Sequence, residues 1–367
     1  MFGTILISIM TLMQLYVFLR AASVPLVRRH VSRQTLLIAA VVAWAILFSG
    51  RTLGHDGTGP AAAILEFSGM TLMGVIFLSF ITMLAADLTT LGGLILKQWA
   101  PRMRGWALAA GVILSIIALV QGMRPPVVTR HEVRLTGLPA ALDGTVLAVV
   151  SDTHLGSLIG ERWLAGRIEQ INELNPDMII LLGDIFEGHG GSEEAFARLF
   201  RQLAPPLGVW AVTGNHEFHG RNNQGIRRME QAGFRLLRDQ WAQTAPGLIV
   251  AGVDDLTTRR RDTPPGDPVA AALSGRPAGA AILLSHSPLE YEKAAALGAG
   301  LMLSGHTHDG QIWPFNHLER LVYPLLSGRF QVDNMTLIVC RGTGTWGPRM
   351  RLWLPGEILA ITLRSGG

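Results

Sequence analysis

Long apolar runs fill the first third of the chain and short ones the rest. Four stretches, roughly residues 2 to 19, 35 to 50, 61 to 86 and 105 to 122, approach the ~20 residues that a helix needs to cross a bilayer. The first has no basic residue ahead of it and Arg20 behind it, the reverse of a secretory signal peptide, so it reads as an anchor. After the proline-stiffened "RPPVVTR" the runs shorten: "TVLAVV" (145 to 150), "DMIILL" (177 to 182), "GVWAVT" (208 to 213), "LIVAGV" (248 to 253), "AILLS" (281 to 285), "LMLS" (301 to 304) and "TLIVC" (336 to 340). Their length and β-branched content predict strands buried on both faces. Between the first two, Trp163, Leu164, Ile168, Ile171 and Leu174 recur at helical spacing. Such alternation predicts a layered α/β domain. The expected organisation is a transmembrane region over 1–124, a linker and first strand region over 125–142, and the α/β domain over 143–367.

Composition agrees with a membrane part: 49% of residues are hydrophobic, 16% are charged, and mean hydropathy is +0.33. The charge is uneven. Residues 1–124 carry 9 Lys+Arg against 3 Asp+Glu, which leaves the remainder slightly acidic. A sequence-independent grip on nucleic acid is therefore not expected of the α/β domain. The loops holding Arg20, Arg28, Arg29 and Arg33, and Lys97, Arg102 and Arg104, are the basic ones. By the positive-inside bias they lie in the cytoplasm, which places both termini and the α/β domain outside. Glu66 and Asp87, near the ends of the third stretch, read as interfacial side chains. Cys340, the only cysteine, reads as a small buried hydrophobe. "TTRRRDTPPGDP", with Arg259, Arg260 and Arg261, reads as a solvated loop.

The residues just past the ends of the strands carry the candidate chemistry. "AVV" leads to "SDTHLG" with Asp152 and His154, and "ILL" leads to "GDIFEG" with Asp184 and Glu187. "AVT" leads to "GNHEFH" with Asn215 and His216, "ILL" to "SHSP" with His286, and "LMLS" to "GHTHDG" with His306 and His308. Open α/β folds bind ligands just past the carboxyl ends of their strands. Five loops therefore present oxygen and nitrogen donors to one edge, and two divalent metal ions are expected there.

The series D-x-H, G-D-x-x-E, G-N-H-E, H and G-H-x-H, over residues ~143 to 363, resembles the calcineurin-like binuclear metallophosphoesterase family. "GHTHDGQIWP" and "CRGTGTWGPRMRLWLPGEI" resemble its bacterial membrane-anchored branch. The resemblance implies a layered β-sandwich flanked by helices and preceded by an all-α, four-helix transmembrane region. It implies one cation on Asp152, His154, Asp184 and His308 and a second on Asp184, Asn215, His286 and His306, sharing a hydroxide that attacks phosphorus. His216 would protonate the departing oxygen, with Glu187 in the place of an orienting aspartate. Mn, Fe and Zn all suit such donors. Asp309 stands where that branch has glycine.

The implied activity is a membrane-anchored phosphohydrolase, a phosphodiesterase or pyrophosphatase, on a lipid-linked or nucleotide-linked phosphoester in the bacterial inner membrane. A phosphoprotein or nucleotide phosphatase is the alternative, but such relatives carry an arginine where Gly188 stands. A non-catalytic membrane sensor is the alternative of another class, although degenerate domains lose ligands that this chain keeps. His189, His219 and His317 lie near the motifs but outside ligand positions, and read as surface side chains. Trp313 and Phe315 read as ordinary packing, with a groove for acyl chains as the other reading.

Overall fold

A computed structural model describes residues 2–55, 57–187, 193–218, 224–258 and 266–366. The chain divides into two compact units: Met1–Arg124 with Gly347–Trp353, and Pro125–Trp346 with Leu354–Gly367.

The first unit is helical: α1 (Phe2–Ala21), α2 (Pro25–His30), α3 (Arg33–Ser49), α4 (Pro60–Thr89) and α5 (Ala100–Met123). Of these, α1, α3 with its π-helical extension Gly50–Gly54, α4 and α5 are long and apolar enough to cross a membrane. Hydrocarbon gives helices no hydrophobic reason to associate, so close packing at small residues has to do it. A Cβ on Gly69 of α4 would lie 2.8 Å from the Cα of Gly50, and one on Gly111 of α5 would lie 2.8 Å from the Cα of Ser79. Glu66 and Asp87 are buried, and each finds a partner inside the unit. Asp87 accepts from Tyr16 Oη at 2.7 Å, Arg104 Nε at 2.7 Å and Arg20 Nε at 2.6 Å, joining α4 to α1 and α5. Glu66 lies 2.8 Å from His55 Nδ1.

The second unit holds twelve strands among the described residues. They are β1 (Val127–Thr136), β2 (Val146–Val150), β3 (Met178–Leu181), β4 (Val209–Ala211), β5 (Arg235–Leu236), β6 (Gln240–Ala245), β7 (Leu248–Gly252), β8 (Ala280–Leu284), β9 (Leu301–Ser304), β10 (Gly328–Val332), β11 (Met335–Val339) and β12 (Glu357–Gly366). They form two six-stranded sheets, in the orders β1-β12-β2-β3-β4-β5 and β10-β11-β9-β8-β7-β6. The central strands β2, β3 and β4 of one sheet, and β7, β8, β9 and β11 of the other, run parallel. Successive side chains of a strand point to opposite faces. Leu147 and Val149 of β2 thus meet Ile282, Leu303 and Ile338 of the opposing sheet, while Ala148 and Val150 face Leu164 and Ile168 of the helix α6 (Glu161–Asn172).

The remaining described helices are α7 (Glu193–Phe200), α8 (Gln224–Gln231), α9 (Pro268–Leu273), α10 (Tyr291–Ala296) and α11 (Phe315–Glu319). Phe196, Phe200 and Met229 of α7 and α8 pack on the first sheet with α6; Val269 and Ala294 of α9 and α10 pack on the second. This is a β-sandwich flanked by helices. Cys340 is fully buried between the sheets. β1 falls in the first strand region expected over 125–142, while β5, β6, β10 and β12 stand beyond the expected strands. The pair β1–β12 forms a ten-residue parallel ladder from Val127↔Glu357 to Thr136↔Gly366.

Candidate metal centre

Each motif begins where a central strand stops. Asp152 and His154 follow β2, Asp184 follows β3, Asn215 and His216 follow β4, His286 follows β8, and His306 and His308 follow β9. Both sheets therefore contribute. The backbone turns sharply there: Asp152 (φ 54), His154 (φ 46), Asp184 (φ 52), His306 (φ 71) and His308 (φ 50) are all left-handed. Non-glycine residues adopt this conformation at a cost, and such residues gather at functional sites. Glycine makes the close approach between loops feasible: a Cβ on Gly305 would lie 2.5 Å from Asp152 Oδ2. Asp309, in the position expected to be glycine, is itself left-handed (φ 52), a conformation that aspartate tolerates better than most residues.

The side chains converge in three overlapping groups: Asp152, His154 and His308; His154, Asp184 and His216; Asp184, His286 and His306. Within each, one donor atom per residue lies within 4.8 Å of the others. Hydrogen bonds on the outer sides of the rings set which nitrogen faces inward. His286 Nδ1 donates to the carbonyl of Leu182 at 2.7 Å, which turns Nε2 toward Asp184 Oδ2 at 3.2 Å. Glu187 Oε2 accepts from His154 Nδ1 at 2.8 Å and from His216 Nδ1 at 2.6 Å, so both rings present Nε2 to the cluster. Tyr323 Oη lies 2.9 Å from His306 Nε2, leaving Nδ1 inward. Outer partners of this kind fix the tautomer and aim of a ligating imidazole.

Inside, donors face donors. His154 Nε2 and His308 Nε2 are 3.1 Å apart, as are His306 Nδ1 and His286 Nε2. Asn215 Oδ1 is buried and has no hydrogen-bond partner among the described residues, and Asp152 Oδ1 has only His308 Nε2 near it, at 3.3 Å. Buried polar atoms are rarely left so. Lone pairs aimed at common points, from imidazole, carboxylate and amide but no thiolate, fit borderline-hard divalent cations.

Electrostatics point the same way. Burial raises the Asp152 and Asp184 carboxyls, but the facing imidazoles, His308 for Asp152 and His286 and His216 for Asp184, hold both well below the usual carboxylate range. Burial lowers the His216 imidazole, yet Asp184 and Glu187 outweigh it and push it up to about 9. A buried pocket that favours positive charge this strongly is suited to cations.

Glu217, the last residue of G-N-H-E, is in the motif, but its spacing does not show what it does. It is fully buried and accepts from the backbone N–H of Asp184 (2.8 Å), Ile185 (2.9 Å) and Gly214 (2.7 Å), tying the β3 and β4 loops together. An acidic residue soon after a buried strand was the available signal. His317 is exposed on α11, while His189, His219 and Arg259, Arg260 and Arg261 lie outside the described residues.

Fold and cluster define a class: a two-sheet α/β sandwich that gathers histidines and carboxylates at the carboxyl ends of its strands. The profile of the calcineurin-like phosphoesterases matches residues 145–310. An uncharacterized metallophosphoesterase of Aquifex aeolicus is 30% identical over 65% of this chain and 92% of its own length. One of Bacillus subtilis is 31% identical over 65% and 85%. A transmembrane protein with metallophosphoesterase domain of Danio rerio is 33% identical over 71% of this chain, and the match spans 62% of the fish protein. The chain belongs to the calcineurin-like metallophosphoesterase family. With its four apolar helices, it is a membrane protein of that family.

Proposed function

We propose that the chain is a membrane-anchored, metal-dependent phosphohydrolase. Asp152, His154, Asp184 and His308 would hold one divalent cation, and Asp184, Asn215, His286 and His306 a second, with Asp184 shared. The carrying observation is the convergence of donors from five loops, with Asn215 Oδ1 buried and without a hydrogen-bond partner among the described residues. The cations, when bound, supply Lewis acidity and charge neutralisation at a phosphoryl group.

The chain's own residues do the rest. His216 is hydrogen-bonded to Glu187 through Nδ1, and its Nε2 lies 3.9 Å from Asp184 Oδ2, at the edge of the cluster. A proton held there is available to the leaving oxygen. Glu187, shared by His154 and His216, fixes the tautomer of a candidate ligand and of the candidate acid together. The loops from both sheets enclose the cluster, so Asp152, His154, Asp184 and His286 are almost entirely removed from water.

For substrate, the membrane unit favours a lipid-linked or nucleotide-linked phosphodiester or pyrophosphate. The loop charges favour a catalytic unit on the outer side of the membrane, and the resemblance to the bacterial membrane-anchored branch favours a bacterial inner membrane. The test is hydrolysis by the purified full chain in nanodiscs with added Mn²⁺, comparing lipid and soluble phosphodiesters. Turnover of the lipid at least ten times faster is expected; equal turnover contradicts the lipid preference.

A further inference from the structure

Trp313 and Phe315 pack only in part: they are 41% and 45% exposed. They open a strap in which Leu318, Leu321 and Val322 are 59%, 81% and 65% exposed. Among the described residues of the second unit, eight large hydrophobics are exposed, and five of them fall in these ten residues. Such clustering marks an interaction surface rather than scatter.

The strap is ordered, not a frayed loop. Ile312 and Leu326 at its ends are buried, and Gly310 lies hard against the backbone of Asn316. Thr307 Oγ1 donates to Leu326 O at 2.6 Å, and Tyr323 meets His306. The same stretch is therefore apolar outward and fastened inward to the loop that carries His306 and His308.

We infer that this strap lies in the interfacial layer of the bilayer that holds the same chain. Connectivity argues for that occupant over a protein partner. Only Arg124, Pro125 and Pro126 separate α5 from β1, roughly 10 Å of chain. The chain then returns to the membrane unit at Gly347–Trp353 before its last strand. The second unit is thus tethered more than once within reach of headgroups. The composition suits that layer: an aromatic pair, aliphatic side chains, and the exposed His317 and Arg320 among them, the mix that settles between headgroups and acyl chains. The inference concerns the membrane and holds whatever the substrate is.

Spin labels at Leu318→Cys and Leu321→Cys in the full chain test it, after reconstitution into vesicles of phosphatidylethanolamine and phosphatidylglycerol (3:1). Both sites are exposed, so the labels should leave the fold intact, and the native Cys340 is buried, so wild type treated with the same label sets the background. Accessibility to oxygen and to a water-soluble nickel chelate is compared with a label at Glu292→Cys, an exposed position on α10. An oxygen-to-nickel ratio several-fold higher at 318 and 321 than at 292 is expected. Equal ratios, meaning an aqueous strap, overturn the inference. So does exclusion of both reagents, which would mean cover by protein, such as a second copy.

Discussion

Glu187 illustrates how one carboxylate can serve two imidazoles. Burial alone would raise it, but the charge of His216 and hydrogen bonds from His154 and His216 keep it well below the usual carboxylate range. If His216 supplies the proton to the leaving oxygen, His216→Ala should lower kcat by about 10² to 10⁴ for alkyl phosphodiesters. It should lower it far less for p-nitrophenyl esters, whose leaving group needs no proton. Equal losses on both, with metal content unchanged, would remove the acid role. Glu319 offers a prediction of another kind. Burial, aided by the neighbouring charge of Asp309, raises its carboxyl to about 8. The folded protein then keeps a proton that the unfolded chain has released, so this contribution to stability declines as pH rises from the ordinary carboxylate value to about 8 and is flat beyond. In metal-free protein, wild type should lose Tm relative to Glu319→Gln over that window; parallel curves would contradict the assignment.

Elements divide into those that show in the sequence and those that do not. The central strands β2, β3, β7, β8, β9 and β11 were legible because both their faces are buried, which leaves unbroken apolar runs. β12 was not, and β1 showed only as a strand region somewhere in 125–142, because "VVTRHEVRLT" mixes charge into its pattern and its stability comes from a partner more than 200 residues away. The donors of the metal cluster were legible as motifs. What holds them was less so: Glu217 and Tyr323 act through contacts between loops that no local spacing encodes. Helix packing gives a paired prediction. Gly111→Leu should sharply lower the yield and Tm of the detergent-solubilised chain, because its side chain meets the backbone of Ser79. Gly166→Ala on α6 meets nothing within 4 Å and should be neutral or stabilising by up to about 1 kcal/mol. A destabilised Gly166→Ala would show that α6 is more crowded than described.

At the scale of the whole molecule, a membrane unit and a phosphoesterase sandwich are joined by a chain that passes between them more than once. The segment Gly347–Trp353 had no periodicity to betray its place: Arg351 N–H bonds to Ala118 O of α5 at 2.9 Å, a link visible only in three dimensions. The proposed orientation rests on the loop charges alone. A membrane-impermeant maleimide should therefore label Glu292→Cys in intact spheroplasts, and labelling only after lysis would place the catalytic unit inside. The most direct test of the account is metal analysis of the purified full chain alongside its phosphodiesterase activity. Two equivalents of Mn, Fe or Zn per chain are expected, with activity lost on chelation and restored on adding metal back, and with both metal and activity depleted in Asp184→Asn. A preparation that binds no stoichiometric metal, or that hydrolyses phosphodiesters undiminished after chelation, would contradict it.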